Sequence, residues 1–424
     1  MKCFVSAEAF VDALLTKEAA EQPSDKVNPD SLAMELPDWF DEEKYNRGRN
    51  FYKSNCFALS SSMLMGLVAV FAVPSILNVL IGSRRSNSVY TAYKRYLSTL
   101  LHTVSWFEHE LKPGSMSWKS LYAVRSRHLK AGLASKLKGN GVVSQRDLAL
   151  TQFGFVGFSM LKPDKFGIWQ QQAGDWEAYN YVWRVVGYMI GIEDKYNICR
   201  ETFEETREVL QLLQDRVYTP CLENVPEHFE HMARVMLDGM WSVNPTVETD
   251  GFLYWCRHLA DVPGYIYTEN DRLKLQSTLR QKLKGKSLDT GVDTRELMCR
   301  PSIDGLPNLP PRLLYYKDYE TVDSAPYYKK LKFFARYKIF LYNLYMTLYS
   351  SYLGRLYFNL NFQFSLYLMR YFPYLAFIRF GIKKSLVNIF EEDPTDDAVP
   401  KLNIEYTKPQ PPETWFKAAL SLIW

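Results

Sequence analysis

Two pairs of polar residues between Ser88 and Gly132 have the types and spacing to do chemistry. Arg95 and Thr99 stand four apart, and Arg125 and His128 three apart. On a helix such neighbours share a face, so each pair sends two polar groups in one direction. His128 lies among Tyr122, Val124, Leu129 and Leu133. Three readings of it are open. It can be a buried imidazole hydrogen-bonded to a carbonyl, or a general base titrating near neutrality. It can also be the lone axial ligand of a haem iron, which needs one neutral nitrogen and an apolar pocket for the macrocycle. Gly132, one turn further on, removes bulk beside the ring, which would admit a flat ligand or a neighbouring helix.

The elements that must position these pairs follow from the pattern around them. Lys112–Ser115 reads KPGS, a turn signal. The stretch is therefore expected as two helices joined by a short connection, each turning polar groups inward among apolar neighbours.

Four runs in this region carry a family resemblance. They are AYKRYLSTL (Ala92–Leu100), LKPGSMSWKSLYAVRSRH (Leu111–His128), SQRDLALTQFGF (Ser144–Phe155) and WRVVGYMIGI (Trp183–Ile192). Their order and spacing resemble the catalytic domain shared by the bacterial rubber oxygenases (latex-clearing proteins) and the ER-bound oxygenase MpaB. The resemblance spans roughly Asp38 to Leu314. It implies an all-helical haem b oxygenase with an apolar, isoprenoid- or lipid-like substrate. It also implies an intracellular, membrane-associated setting at the endoplasmic reticulum. Residue by residue, it puts His128 at the proximal iron ligand and Arg125 one turn before it, against the cofactor. It puts Arg95 and Thr99 on the distal side.

The chain departs from that pattern at three places. The lysine that precedes the distal threonine in rubber oxygenases is Ser98 here. Their upstream catalytic glutamate has no counterpart, since Ile76–Gly82 holds no carboxylate. The arginine one turn after the histidine is Gly132. These departures keep a second reading in play, a non-catalytic haem- or lipid-binding protein on the same scaffold.

Composition bounds the remaining choices. With 424 residues and 47% hydrophobic content, the chain can bury a sizeable core. A net charge of +4 is too mild for a nucleic-acid binder, which needs a concentrated basic face. Six scattered cysteines with no CxxC pair suit a reducing compartment and give no zinc or iron–sulfur signature. Strand-type alternation is scarce, and nucleotide-binding glycine fingerprints and GxSxG are missing from the sequence. The fold is expected to be all-α.

Taken in order, residues 1–35 read as a flexible arm with one short amphipathic helix. Residues 36–315 form the catalytic domain, 316–328 a linker, and 329–424 an aromatic and basic helical extension. Phe57–Ser83 is free of charge and long enough to span a bilayer. Pro74 inside it and the family pattern favour a pair of buried helices. Ser144 and Asp147 read as a capping box. Trp183, Gly187 and Gly191 suggest a glycine face for close helix packing. His228 and His231, with Glu227 and Glu230, are the best non-haem metal candidates. None of the six histidines has a glutamate three before it, so a solvated charged face is the simpler reading. Arg312 aligns with a late arginine of the family. In Lys329–Lys384 the crowded Tyr, Phe and Leu with recurring cations suit attachment to a membrane surface. FKAALSLIW at the end is a short apolar plug.

Overall fold

The structure is a computed structural model and describes residues 6–25, 31–139, 141–169 and 172–408. It is helical almost throughout. Two short helices, α1 (Ala7–Leu14) and α2 (Lys17–Glu21), come first. Then follow α3 (Glu42–Ser54), α4 (Cys56–Val70), α5 (Pro74–Ser83), α6 (Val89–Glu108), α7 (Met116–Leu137), α8 (Gln145–Leu161) and α9 (Asp175–Met189). Next come α10 (Phe203–Leu213), α11 (Thr219–Glu223), α12 (Phe229–Trp241), α13 (Thr249–Leu259) and α14 (Glu269–Lys282). A two-residue ladder pairs β1 (Val292–Asp293) antiparallel with β2 (Leu313–Leu314). The chain then runs through α15 (Pro326–Lys329), α16 (Phe333–Tyr349), α17 (Tyr352–Tyr371), α18 (Tyr374–Phe380) and α19 (Ile382–Ser385). After α19 the described chain continues as a largely extended strap, residues 386–408.

Local chemistry sets the boundaries that matter for the site. Ser88, Ser115 and Ser144 each accept a main-chain amide at the start of α6, α7 and α8. Each satisfies a donor the first helical turn would leave free. Pro74 opens α5 at a position where its missing amide costs nothing. The apolar run therefore breaks into α4 and α5, bent by 94° to one another. Twelve of the fifteen residues of α4 are buried. Among the described residues no single helix is long and apolar enough to cross a membrane.

Helix α4 packs on α8 with the two backbones in contact. A Cβ on Gly66 would lie 2.0 Å from the Gly154 carbonyl oxygen. Gly48 of α3 meets Ala178 of α9 in the same way, at 2.2 Å. Helices α4, α6, α7, α8 and α9 all contribute side chains to one interior space.

Several expectations need correcting. The stretch expected as an arm buries Phe10, Val11 and Leu14 of α1 and bridges Pro23 to Ser144. An apolar face on a short helix needs a partner, and it finds one in the core. Residues 316–328 bury Tyr319 and Ala325 fully against Ile266, Leu279 and Leu314. The capping box of α8 is half formed. Ser144 accepts the Asp147 amide at 3.0 Å, while the Asp147 carboxyl takes the Ser75 hydroxyl at 2.7 Å. Gly187 faces the side chains of Gln152 and Asn197, not a neighbouring backbone. Gly191, at φ 103°, belongs to the turn that ends α9. FKAALSLIW lies outside the described residues.

In the pair His228 and His231, His231 is buried and His228 partly so. The strap covers the pair. His228 Nδ1 donates to the Lys401 carbonyl, and His231 sits between Tyr406 Oη at 2.7 Å and the Asn87 carbonyl at 2.8 Å. Glu230 is held by Arg234 and Arg257. Among the described residues no group of three or more His, Cys, Asp or Glu could hold a metal ion.

Candidate functional site

Helices α6, α7, α8 and α9, with the bend between α4 and α5, enclose a cavity of about 560 Å³. That is within the roughly 300–1,000 Å³ usual for small-molecule and cofactor sites. Leu67, Val70 and Phe71 close one end, and Ile76, Val79 and Leu80 of α5 form an apolar wall. From the strap, Glu392, Asp393 and Thr395 complete the lining.

Three of the four predicted site residues line this cavity. Arg95 and Thr99 come from α6 and His128 from α7. Arg95 Nη1 donates to Ser83 Oγ at 3.0 Å, and no other hydrogen bond engages its guanidinium among the described residues. Thr99 Oγ1 donates back to the Arg95 carbonyl at 3.0 Å. Its proton is spent on the helix, so Thr99 offers the cavity lone pairs only. Arg125 goes elsewhere. Its Nε donates to Asp25 Oδ2 at 2.7 Å, and it takes no part in the lining. Arg312 is likewise remote, paired with Glu223 and the Pro263 carbonyl. Gly132 also stays out of the lining and meets Val143 at ordinary contact distance.

The His128 ring opens onto the cavity, while Nδ1 is sealed from solvent and without a partner. Neither ring nitrogen has a hydrogen bond among the described residues. A buried polar atom left unpaired is costly and asks for an explanation. Burial first, then the charges of Arg95 and Arg127, push the imidazole pKa down to about 4. The ring is therefore neutral near pH 7, the form that lends a lone pair to a metal.

His102 on α6 is a useful contrast. It lines the same cavity, and its pKa is also pushed down to about 4, mainly by burial. Both of its nitrogens are taken. Arg127 Nη1 can only donate, so the 3.1 Å contact makes Nε2 the acceptor. Nδ1–H then donates to Ser120 Oγ at 2.7 Å. His102 is a strut between α6 and α7, and His128 is the free imidazole.

Sequence reasoning missed several polar groups in the cavity besides His102. Asp147 of α8 is buried there, and burial pushes its carboxyl above the usual carboxylate range. Its partner, Ser75, stands beside the carboxylate-free segment Ile76–Gly82. The cavity thus holds a carboxyl, supplied from a different helix. Gln152 donates through Nε2 to the Trp183 carbonyl, leaving Oε1 buried and unpaired. Ser135 Oγ is a further unpaired atom in the lining. Arg85, Arg127, Lys130 and Lys138 add cations around the lining. Ser98, at the departing lysine position, also faces this space.

A second depression, of about 670 Å³, opens between α3 and the α6–α7 turn. It is shallow and polar, and its charges answer one another. Lys112 pairs with Glu110 and Glu42, and Arg49 donates to the Phe107 and Glu108 carbonyls. This depression is more open than the cavity between α6, α7, α8 and α9, which is the candidate site.

Comparison with known proteins gives a distant relative. The chain is 25% identical over 226 residues to the rubber oxygenase of Streptomyces sp. (strain K30). The match covers 48% of this chain and 50% of that protein, so the chain spans about half the length of its curated relative. The solved structure of latex clearing protein LCP in the closed state aligns with 61% of this chain and 73% of that one, at 20% identity and a TM-score of 0.39. No family model matches. The chain is thus a helical protein distantly related to a rubber oxygenase.

Proposed function

We propose that this protein is a haem b-dependent oxygenase acting on an apolar, isoprenoid- or lipid-like substrate. One observation carries the reading: a neutral imidazole with no protein partner lies in the wall of a largely apolar cavity, with Arg95 and Thr99 in the same lining. The residues fit the group. His128 would hold the iron, the apolar walls would take the macrocycle, and the cations of the lining would meet its two carboxylates. Bound there, haem b supplies the redox-active iron at which dioxygen chemistry occurs. The relationship to a rubber oxygenase supports the same reaction class.

The chain's own residues have definite parts in this reading. Arg95 keeps a fixed positive charge in the cavity with most of its N–H donors uncommitted, suited to orienting an oxygen-bearing group. Arg127 holds His102 in one tautomer and also donates to the Ile389 carbonyl of the strap, keeping bulk water from the site. Asp147, whose carboxyl burial pushes above the ordinary carboxylate range, stands in the lining as the group that would exchange a proton. Arg125 acts from outside by tying α7 to Asp25.

The competing reading is a carrier of haem or lipid without turnover. Oxygen uptake with polyisoprene and shorter isoprenoids separates the two. The proposal expects uptake and carbonyl products, lowered at least a hundredfold in Asp147→Asn. Ligand-dependent spectra without uptake would establish the carrier instead.

A further inference from the structure

We propose that the outward faces of α16 and α17 form a docking surface for an anionic phospholipid bilayer, which the protein meets in-plane without crossing it. The first observation is where the apolar side chains point. Along α17, Leu353, Tyr357, Leu360, Phe364, Tyr367 and Tyr371 recur at alternating spacings of four and three, and all are more than half exposed. On α16, Phe333, Phe340, Leu344 and Leu348 continue the pattern at 73%, 62%, 40% and 48% exposure. Only Leu366 and Met369 of α17 are fully buried. The usual arrangement, with the apolar stripe facing the core, is turned inside out. Most of the large apolar side chains exposed on the described chain lie between Phe333 and Phe390. Exposed apolar patches of this kind mark interaction surfaces.

The second observation is charge. From Ser324 to Phe390 the sequence has ten Lys and Arg and no Asp or Glu. Lys329, Lys330 and Lys332 stand exposed before α16, and Lys383 and Lys384 after α18. Cations flanking exposed tyrosines and phenylalanines suit the headgroup layer, where rings sit at the interface and lysines meet anionic lipid. A second copy of this chain is the poorer occupant. A symmetric contact would set this cationic face against itself with no carboxylate to answer it. A neutral hydrocarbon particle would leave the lysines unused. Among the described residues no single helix is long and apolar enough to cross, and the apolar side chains lie along the outward sides of α16 and α17, which suits in-plane attachment.

The test is co-sedimentation of the full chain with phosphatidylcholine vesicles, with and without phosphatidylserine. Partition should require phosphatidylserine and weaken as salt is raised. The triple variant Leu360→Glu, Phe364→Glu, Tyr367→Glu should bind at least tenfold more weakly, with its helical circular dichroism and melting intact. If the triple variant misfolds, Leu353→Glu alone, at the exposed start of α17, serves. Leu137→Glu, more exposed still but on α7, should bind as the parent does. Three results would overturn the proposal: no partition at all, equal partition onto phosphatidylcholine alone or onto a neutral hydrocarbon emulsion, or a concentration-dependent dimer that the triple variant dissolves. These outcomes are independent of whether His128 holds iron.

Discussion

His102 and His128 project from facing helices into one cavity, both neutral at physiological pH, yet they differ in what their nitrogens do. His102 has a donor on one side and an acceptor on the other. His128 has neither. Arg125, three residues before His128, is the most informative control. Its salt bridge to Asp25 predicts that Arg125→Ala costs roughly 1–3 kcal/mol of stability. Haem binding should remain. Chemical denaturation and a haem titration of the variant check both halves; loss of haem with unchanged stability would put Arg125 back at the cofactor. Acidity gives a second prediction. His128 ionises near 6.5 when unfolded and about 4 when folded, so the unfolded chain binds the extra proton between those values. The contribution to stability is full above pH 6.5 and is lost as pH falls towards 4, by about 1.4 kcal/mol per pH unit for each such histidine. His128→Gln should flatten the measured stability–pH slope by that share, and an unchanged slope would show the ring to be solvated.

At the scale of the element, the α4–α8 crossing leaves no room for a side chain. Gly66→Ala would press a methyl into the Gly154 carbonyl and force the helices apart. A loss of about 3 kcal/mol or more is expected, read from the denaturation midpoint. A variant as stable as the parent would show that the crossing is loose. Much of this level was legible in the sequence. The KPGS turn separates α6 from α7, Ser144 announces the start of α8, Pro74 breaks the apolar run, and Arg95, Thr99 and His128 share one lining. The rest was not legible, for physical reasons. Helix α7 is covered on only part of its circumference, so Tyr122 and Leu133 face outward at 40% and 45% exposure while His128 faces in with Val124 and Ala131. An apolar neighbour in sequence was no guide to the face. Asp147 looked like a cap because its spacing from Ser144 suits one. Its carboxyl is instead drawn to Ser75, a partner 72 residues away that no local pattern contains.

For the whole molecule, the strap decides how closed the site is. It returns from the far end of the chain to line the cavity with Glu392, Asp393 and Thr395. Its anchor is Asp396, whose Oδ2 accepts the Ser88 and Thr91 hydroxyls at the start of α6, where a carboxylate is also favoured by the helix dipole. Arg84 and Arg85 hold Asp397 and Glu392 beside it. Asp396→Ala should cost about 1–2 kcal/mol and release the strap. Tryptic cleavage at Lys401 should then speed up several-fold, and a cavity ligand should leave faster. Unchanged cleavage would mean that the other contacts suffice. The apolar face of α16 and α17 belongs to the same sequence of elements, since α18 and α19 carry the chain from that face to the strap.

The most direct measurement of the central claim is an absorption spectrum of the full chain after haem loading, taken for the parent, for Arg125→Ala and for His128→Gly, the last with and without added imidazole. The account predicts a Soret band with stoichiometric iron in the parent and in Arg125→Ala, its loss in His128→Gly, and its return when imidazole fills the space left by the missing ring. A parent that takes up no haem, or a His128→Gly variant whose spectrum matches the parent's, would contradict it.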